Sequence, residues 1–154
     1  MKPSKLIIAI AIGVALAAGV FVALQTQQPT EPSTAMVVPN PERLPAFELV
    51  DQDGAPIDET VFEGQWDLVF FGFTHCPDVC PTTLQVLAAA KAALDEQGVS
   101  PLPRIVLVSV DPERDTPEIL GQYVDYFGAG NLGITGPLEG IRALTSGLGI
   151  YFQK

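Results

Sequence analysis

The segment from Trp66 to Gly98 joins a buried-strand pattern to a helix pattern, and two cysteines stand between them. The stretch "WDLVFFGFT" is almost continuously apolar, which predicts a central strand covered on both faces. The stretch "TTLQVLAAAKAALDEQG" has apolar residues at helical spacing, with Pro81 suited to its first turn and Gly98 to its end. A strand that leads directly into a helix favours an α/β fold.

Further elements continue this alternation along the chain. "AFELVDQDGAPID" predicts two short strands around a turn, and "RIVLVSVD" predicts a second buried strand. "DTPEILGQYVDYFGAG" predicts a helix capped by Asp115 or Thr116, with Pro117 at its first position. Its predicted apolar face consists of Ile119, Leu120, Tyr123, Val124 and Phe127. "LGITG" and "PLEGIRALTSGLG" predict a third strand and a third helix.

This order predicts parallel strands joined by right-handed crossovers, with helices on both faces of the sheet. The cysteines would then follow the carboxyl end of the first buried strand and begin a helix. Open α/β sheets bind their ligands at this edge.

An apolar run from Leu6 to Leu24 precedes the predicted domain. As a helix it would be about 29 Å long, which matches the hydrocarbon core of a bilayer. Lys2 and Lys5 come before it, so we expect residues 1–5 in the cytoplasm and the rest outside. A cleaved signal peptide is the alternative. Residues 25–45 contain five prolines and predict a linker, which leaves residues 46–154 as one domain.

The chain carries 18 acidic and 8 basic side chains, for a net charge of −10. This balance argues against nucleic acid or anionic lipid as a partner. It suits either a cationic or metal-delivering partner, or simply a solvated surface.

Cys76 and Cys80 form a Cys-x3-Cys pair. A disulfide between them would close a short loop, so the entropic benefit of a structural disulfide would be small. A helix N-terminus favours thiolates, which can bind a soft ion such as Cu(I) or be oxidised to a disulfide. A structural zinc site is disfavoured, because it needs four protein ligands and the chain has only two cysteines and one histidine.

The string "FGFTHCPDVCPTTL", with "DQDG" before it and "VSVDPERDTPEIL" and "FGAGNLGITG" after it, closely resembles the Sco/SenC family of membrane-tethered copper chaperones. The resemblance covers the chain from about Pro45 to Lys154. It implies a thioredoxin-like fold of α/β/α layers that handles a copper ion, Cu(I) or Cu(II), for the Cu(A) centre of cytochrome c oxidase. Cys76 and Cys80 match the family's copper ligands and redox pair.

The resemblance also implies a location and a partner. The location is a bacterial inner membrane, which the protein crosses once, with the globular domain on the periplasmic side. The partner is the oxidase subunit that carries Cu(A), or another copper-delivery protein.

The family's third copper ligand is a histidine well downstream of the cysteines, whereas this chain ends at "GIYFQK". We therefore expect the family's C-terminal strand hairpin and last helix to be missing, which would leave one sheet edge open. His75 is expected to have a local role, with copper ligation as the alternative. Asp78 is expected to start the helix by accepting backbone N–H groups, or else to tune the thiols. Asp111 is expected to form a turn before Pro112, or else to lie near the site.

The thiol pair and the family resemblance together imply a copper-binding assembly factor rather than a turnover enzyme. A thiol–disulfide reductase that acts on the cysteines of a client protein is the alternative. Peroxide reduction is disfavoured, because Phe73 and Pro77 occupy the positions where a peroxiredoxin has its threonine.

Overall fold

The computed structural model of the chain describes residues 12–21 and 35–153, which fall into two compact units, residues 1–41 and 42–154. In the first unit, residues 12–21 form an exposed helix, α1. The predicted anchor at residues 6–24 extends beyond the described residues on both sides, as does much of the predicted linker. Within the described ranges, no helix combines the length and the apolar character needed to cross a bilayer.

The second unit has the predicted order of elements. Two short strands and a 3-10 turn at Glu59–Phe62 come first, and strands then alternate with helices. The strands are β1 (Leu49–Asp51), β2 (Pro56–Ile57), β3 (Asp67–Gly72), β4 (Arg104–Ser109) and β5 (Leu132–Thr135). The helices are α2 (Val79–Glu96), α3 (Pro117–Tyr126) and α4 (Leu138–Gly147).

The five strands form one sheet in the order β2-β1-β5-β4-β3. Strands β3, β4 and β5 run parallel, as predicted, whereas β1 pairs antiparallel with both β5 and β2. The predicted turn between β1 and β2 is confirmed. The Asp51 carboxylate closes it by accepting the N–H groups of Asp53 and Ala55, both at 2.9 Å.

Helices cover both faces of the sheet, and β4 lies at the centre of the core. Ile105 and Leu107 of β4 pack against residues of α2 and α3, including Leu84 and Leu120. On the other face, β4 contributes to the cluster that contains residues of α4. This arrangement gives the α/β/α layers that were predicted.

Strand β3 stands at one end of the described sheet, so the prediction of a central strand is wrong. Leu68 and Phe70 pack toward the α2–α3 side, and Phe71 packs toward the α4 side, which explains why the strand is apolar on both faces. Val69 is 39% exposed. Local periodicity identified the strand, but it does not report how many neighbours pair with it.

Helix α3 begins as predicted, with the Thr116 hydroxyl accepting the Ile119 N–H at 3.4 Å and Pro117 at the first position. Leu120 and Val124, one turn apart, form its buried stripe. Ile119 was predicted on this face but is 40% exposed, which corrects that assignment. Its position is about 100° around the helix from Leu120.

Candidate thiol site

The two cysteines lie where β3 gives way to α2, at the carboxyl edge of the parallel strands, as predicted. Cys76 is partly exposed in the connecting loop. Helix α2 begins at Val79, so Pro81 lies in its first turn as predicted, and Cys80 belongs to the same turn and is 5% exposed. Both thiols are free.

Gly72, the last residue of β3, makes room for the buried sulfur. A Cβ atom at this position would lie 3.0 Å from Cys80 Sγ and 2.7 Å from an atom of the Phe70 ring. Both distances are shorter than normal van der Waals contact. The absence of a side chain at Gly72 thus allows Cys80 to pack beneath the loop.

The Cys76 sulfur takes part in capping α2. The backbone N–H of Cys80 donates to Cys76 Sγ at 3.4 Å. Asp78 occupies the N-cap position, but its side chain makes no capping hydrogen bond, so the prediction that it accepts backbone N–H groups is wrong. Its carboxylate instead accepts a 3.5 Å hydrogen bond from the Thr82 hydroxyl. The physical reason is that the loop places a sulfur, rather than this carboxylate, over the helix end.

The two thiols differ in acidity. The pKa of Cys76 is lowered, first by a hydrogen bond from the Cys80 side chain and then by the backbone N–H groups of Cys80, Asp78 and Val79. Burial raises the pKa of Cys80 to about 11, and the hydrogen bond to Cys76 and the nearby charges of Cys76 and Asp115 add to this effect. Cys76 is therefore the thiol that ionises first, with Cys80 as its proton-bearing neighbour.

Asp115 is fully buried beneath the loop that carries the thiols. Its carboxylate accepts hydrogen bonds from the Thr74 N–H at 3.0 Å, the Thr74 hydroxyl at 2.6 Å and the Ser109 hydroxyl at 2.6 Å. The sequence suggested only that Asp115 or Thr116 caps α3. Thr116 is the residue that caps α3, which leaves Asp115 without a capping role. An acidic residue not needed for the cap was the one sequence signal that Asp115 has another role.

His75 is half exposed and contacts its neighbours on the side of Asp115. Its Nδ1 atom lies 3.0 Å from the Thr74 hydroxyl and 3.7 Å from Asp115 Oδ1. This contact fits the expected local role. Within residues 12–21 and 35–153, no group of three or more His, Cys, Asp or Glu side chains is arranged to hold a metal ion.

Asp111 forms the predicted turn, because its carbonyl accepts the N–H groups of Arg114 and Asp115 at 3.1 and 3.0 Å. Its side chain also pairs with Arg114. The Arg114 guanidinium lies 5.9 Å from the centre of the Phe73 ring, at the start of the thiol loop. A cation therefore stands beside the site in a strongly acidic chain.

Tyr123 of α3 is a residue near the site that sequence reasoning placed only in the core. Burial raises the pKa of its phenol, and the charges of Cys80, Cys76 and Asp115 raise it further. Its hydroxyl is buried without a hydrogen-bond partner among the described residues. Periodicity predicted the apolar packing of the ring but carried no information about the position of the hydroxyl.

Comparison with known proteins gives a consistent result. The model of the SCO1/SenC family matches residues 38–154. Protein SCO1 homolog 1 from mitochondria of Arabidopsis thaliana is 41% identical over 109 residues, which cover 70% of this chain and 32% of that protein. The mitochondrial SCO2 homolog of Mus musculus is 39% identical over 107 residues, covering 70% and 42%. The chain thus spans less than half the length of these two relatives.

A solved structure agrees with the fold as well. The crystal structure of Arabidopsis thaliana ScoI with copper bound has a TM-score of 0.68 and 38% sequence identity, covering 73% of this chain and 70% of that one. The similarity supports the thioredoxin-like arrangement that the resemblance implied.

Proposed function

This chain belongs to the SCO1/SenC family, and we propose that it is a copper chaperone that binds copper through Cys76 and Cys80. The observation that carries the proposal is the pair of free thiols at the start of α2. The two residues are in contact, because the Cys80 N–H donates a hydrogen bond to Cys76 Sγ. Thiolates are the preferred protein ligands of Cu(I). The similar Arabidopsis thaliana structure has copper bound, which supports copper as the ion.

The donor set fits Cu(I) better than Cu(II). Two thiolates suffice for a soft, low-coordinate ion, whereas Cu(II) prefers a tetragonal site with nitrogen donors. His75 is the chain's only histidine, and its Nδ1 atom is in contact with Thr74. The partner that we propose is the cytochrome c oxidase subunit with the Cu(A) centre, or a protein that supplies copper to this chain.

We also propose that residues 6–24 anchor the protein in a bacterial inner membrane, with the domain on the periplasmic side. The apolar run and the placement of Lys2 and Lys5 support this. N-terminal sequencing of the membrane-extracted protein tests the proposal. A mature start near Gln25 would show that residues 6–24 are a cleaved signal peptide.

Copper binding is tested by competition between the reduced protein and a chromogenic Cu(I) chelator. We expect one Cu(I) per chain and a loss of affinity of at least tenfold in Cys76→Ser and in Cys80→Ser. Val79→Ser, an exposed position between the two cysteines, is the control and should bind as the wild type does. Wild-type affinity in either cysteine variant would refute the proposed ligands.

A thiol–disulfide reductase is the second candidate, and the unequal acidity of the thiols favours it. The Cys76 thiolate would attack a client disulfide, forming a mixed disulfide and releasing one client thiolate. Cys80, after losing its proton, would attack Cys76 Sγ, which releases the second client thiolate and leaves a Cys76–Cys80 disulfide. The client gains two electrons and the chain loses two. The test is to mix the reduced protein with a peptide that contains a disulfide, without copper. If the chain is a reductase, one peptide disulfide should be reduced for each protein molecule added, which copper transfer does not predict.

A further inference from the structure

We propose that Asp115 is the positioning residue of the thiol loop, which it holds in the geometry that lets Cys76 and Cys80 act together. The inference deepens the proposed function and rests on it for its biological meaning. The hydrogen bonds of the Asp115 side chain go to Thr74 and Ser109 and not to either sulfur. Its effect would pass through Thr74, which lies two residues before Cys76 and donates twice to the Asp115 carboxylate.

Asp115 connects the carboxyl ends of all three parallel strands. Thr74 follows the end of β3, Ser109 is the last residue of β4, and both donate to the Asp115 side chain. Thr135, the last residue of β5, donates to the Asp115 backbone carbonyl at 3.0 Å. One buried residue therefore sets the thiol loop relative to the rigid centre of the sheet.

The hydrogen-bond pattern favours a carboxylate. Asp115 Oδ2 accepts from the Thr74 N–H and the Ser109 hydroxyl, and Oδ1 accepts from the Thr74 hydroxyl. All three partners donate in this arrangement, although the two hydroxyls can also accept. Asparagine has the same shape but carries no charge, and its NH2 group could pair with the Thr74 hydroxyl only if that hydroxyl turned to accept instead of donate. The acceptor is fully buried, so water cannot replace a lost bond.

The loop itself is held by weaker contacts nearer the sulfurs. The Cys76 N–H donates to the Phe73 carbonyl at 3.3 Å, and the Cys80 N–H donates to Cys76 Sγ at 3.4 Å. The bonds from Thr74 to Asp115 are shorter and involve a charged acceptor, so they are stronger. Releasing them would let Cys76 sample more positions relative to Cys80. The effective concentration of one thiol at the other would then fall.

The test measures the equilibrium between the Cys76–Cys80 disulfide and the dithiol in glutathione buffers, followed by alkylation and mass spectrometry. We expect Asp115→Asn to shift this equilibrium toward the dithiol by about tenfold. A shift of this size corresponds to the loss of one hydrogen bond to a charged group. Thr74→Val keeps the buried charge and removes the hydroxyl's bond to Asp115 together with its contact with His75 Nδ1, and we expect a shift of about threefold. Thr74→Ser keeps the hydroxyl and should remain within twofold of the wild type.

Thr145→Val is the matched control. Thr145 is 2% exposed and thus more buried than Thr74, and its hydroxyl donates to the Ile141 carbonyl within α4. The same chemical change there should alter stability without altering the thiol equilibrium. An unchanged equilibrium in Thr74→Val, or an equal shift in Thr145→Val, would overturn the proposal. This holds even if Asp115→Asn does not fold.

The thiol equilibrium does not require copper, so the two proposals can fail separately. Cu(I) affinity measured on the same variants adds a second readout, and we expect it to fall in the same order. If the wild type binds no Cu(I) but Thr74→Val still shifts the thiol equilibrium, the copper proposal fails and the positioning role stands. If copper binds and the equilibrium does not move, the reverse holds.

Discussion

Replacing Gly72 by alanine should damage the thiol site in a way that replacing a comparable glycine elsewhere does not. The added Cβ would meet the Phe70 ring at 2.7 Å and Cys80 Sγ at 3.0 Å. Carbon atoms in favourable contact are about 3.5–4.0 Å apart, so both neighbours must move by up to about 1 Å. Cys80 is 5% exposed and belongs to the first turn of α2, so its sulfur cannot simply turn into solvent.

Overpacking of this kind costs about 1–3 kcal/mol. For a domain of this size, we expect the melting temperature to fall by about 3–8 °C per kcal/mol. Gly133→Ala is the matched control. A Cβ at this position would lie 2.7 Å from Leu120 Cγ in the core, and Gly133 is far along the chain from the two cysteines. Both variants should lose stability in chemical denaturation.

Only Gly72→Ala should also change the thiols. We expect its Cu(I) affinity to fall and the alkylation rate of Cys80 to rise, because the displaced sulfur loses its packing. Both effects are measured in native conditions, well below the denaturation midpoint. Wild-type stability together with wild-type thiol reactivity in Gly72→Ala would refute the argument that this glycine makes room for the sulfur.

Three further predictions concern acidity, the core and the sheet edge. In a pH titration followed by thiolate absorbance, one thiol should ionise below the range of an ordinary cysteine and the second near pH 11; joint ionisation near pH 9 would contradict this. Cys80 prefers its thiol form when folded, so its contribution to stability is complete below the pKa of an unfolded cysteine and is lost as the pH rises through about 11. Leu107→Ala, in the core, should lower the free energy of unfolding in urea by about 2–5 kcal/mol. Val86→Ala, at an exposed position, should lower it by less than about 0.5 kcal/mol, and similar losses in both variants would be evidence against the assigned core. Val69→Lys on the edge strand β3 should slow aggregation, measured by light scattering, with little loss of stability. Unchanged aggregation would show that molecules do not associate through this edge of the sheet.

Local sequence patterns predicted most of the elements that carry the site. Proline and threonine at the start of α3 predicted its cap, and the change of periodicity after β3 placed Cys76 and Cys80 correctly. These signals act over a few residues, so they can be read without knowing the fold. Gly98 at the end of α2 has a φ of 74°, which is why a glycine there signals the end of a helix.

The features that were missed depend on residues distant in sequence. Thr74 and Asp115 are 41 positions apart, and no local pattern links a threonine after one strand to an acid after the next. The edge position of β3 depends on which strands pair, and its apolar composition is equally compatible with a central place. The capping sulfur of Cys76 was missed because capping preferences describe oxygen acceptors, which favoured Asp78.

The unequal thiols also supply a measurement that separates the two candidate functions. Attack on a client disulfide requires one thiolate, so its rate should level off once the pH exceeds the lowered pKa of Cys76. Binding of Cu(I) by both sulfurs must also release the proton of Cys80, whose pKa is about 11. Above the pKa of Cys76, Cu(I) affinity should therefore continue to rise about tenfold per pH unit, because one proton is still displaced. Affinity that levels off together with the exchange rate would mean that Cys80 is not a copper ligand, and the pair would then be better explained as a reductase.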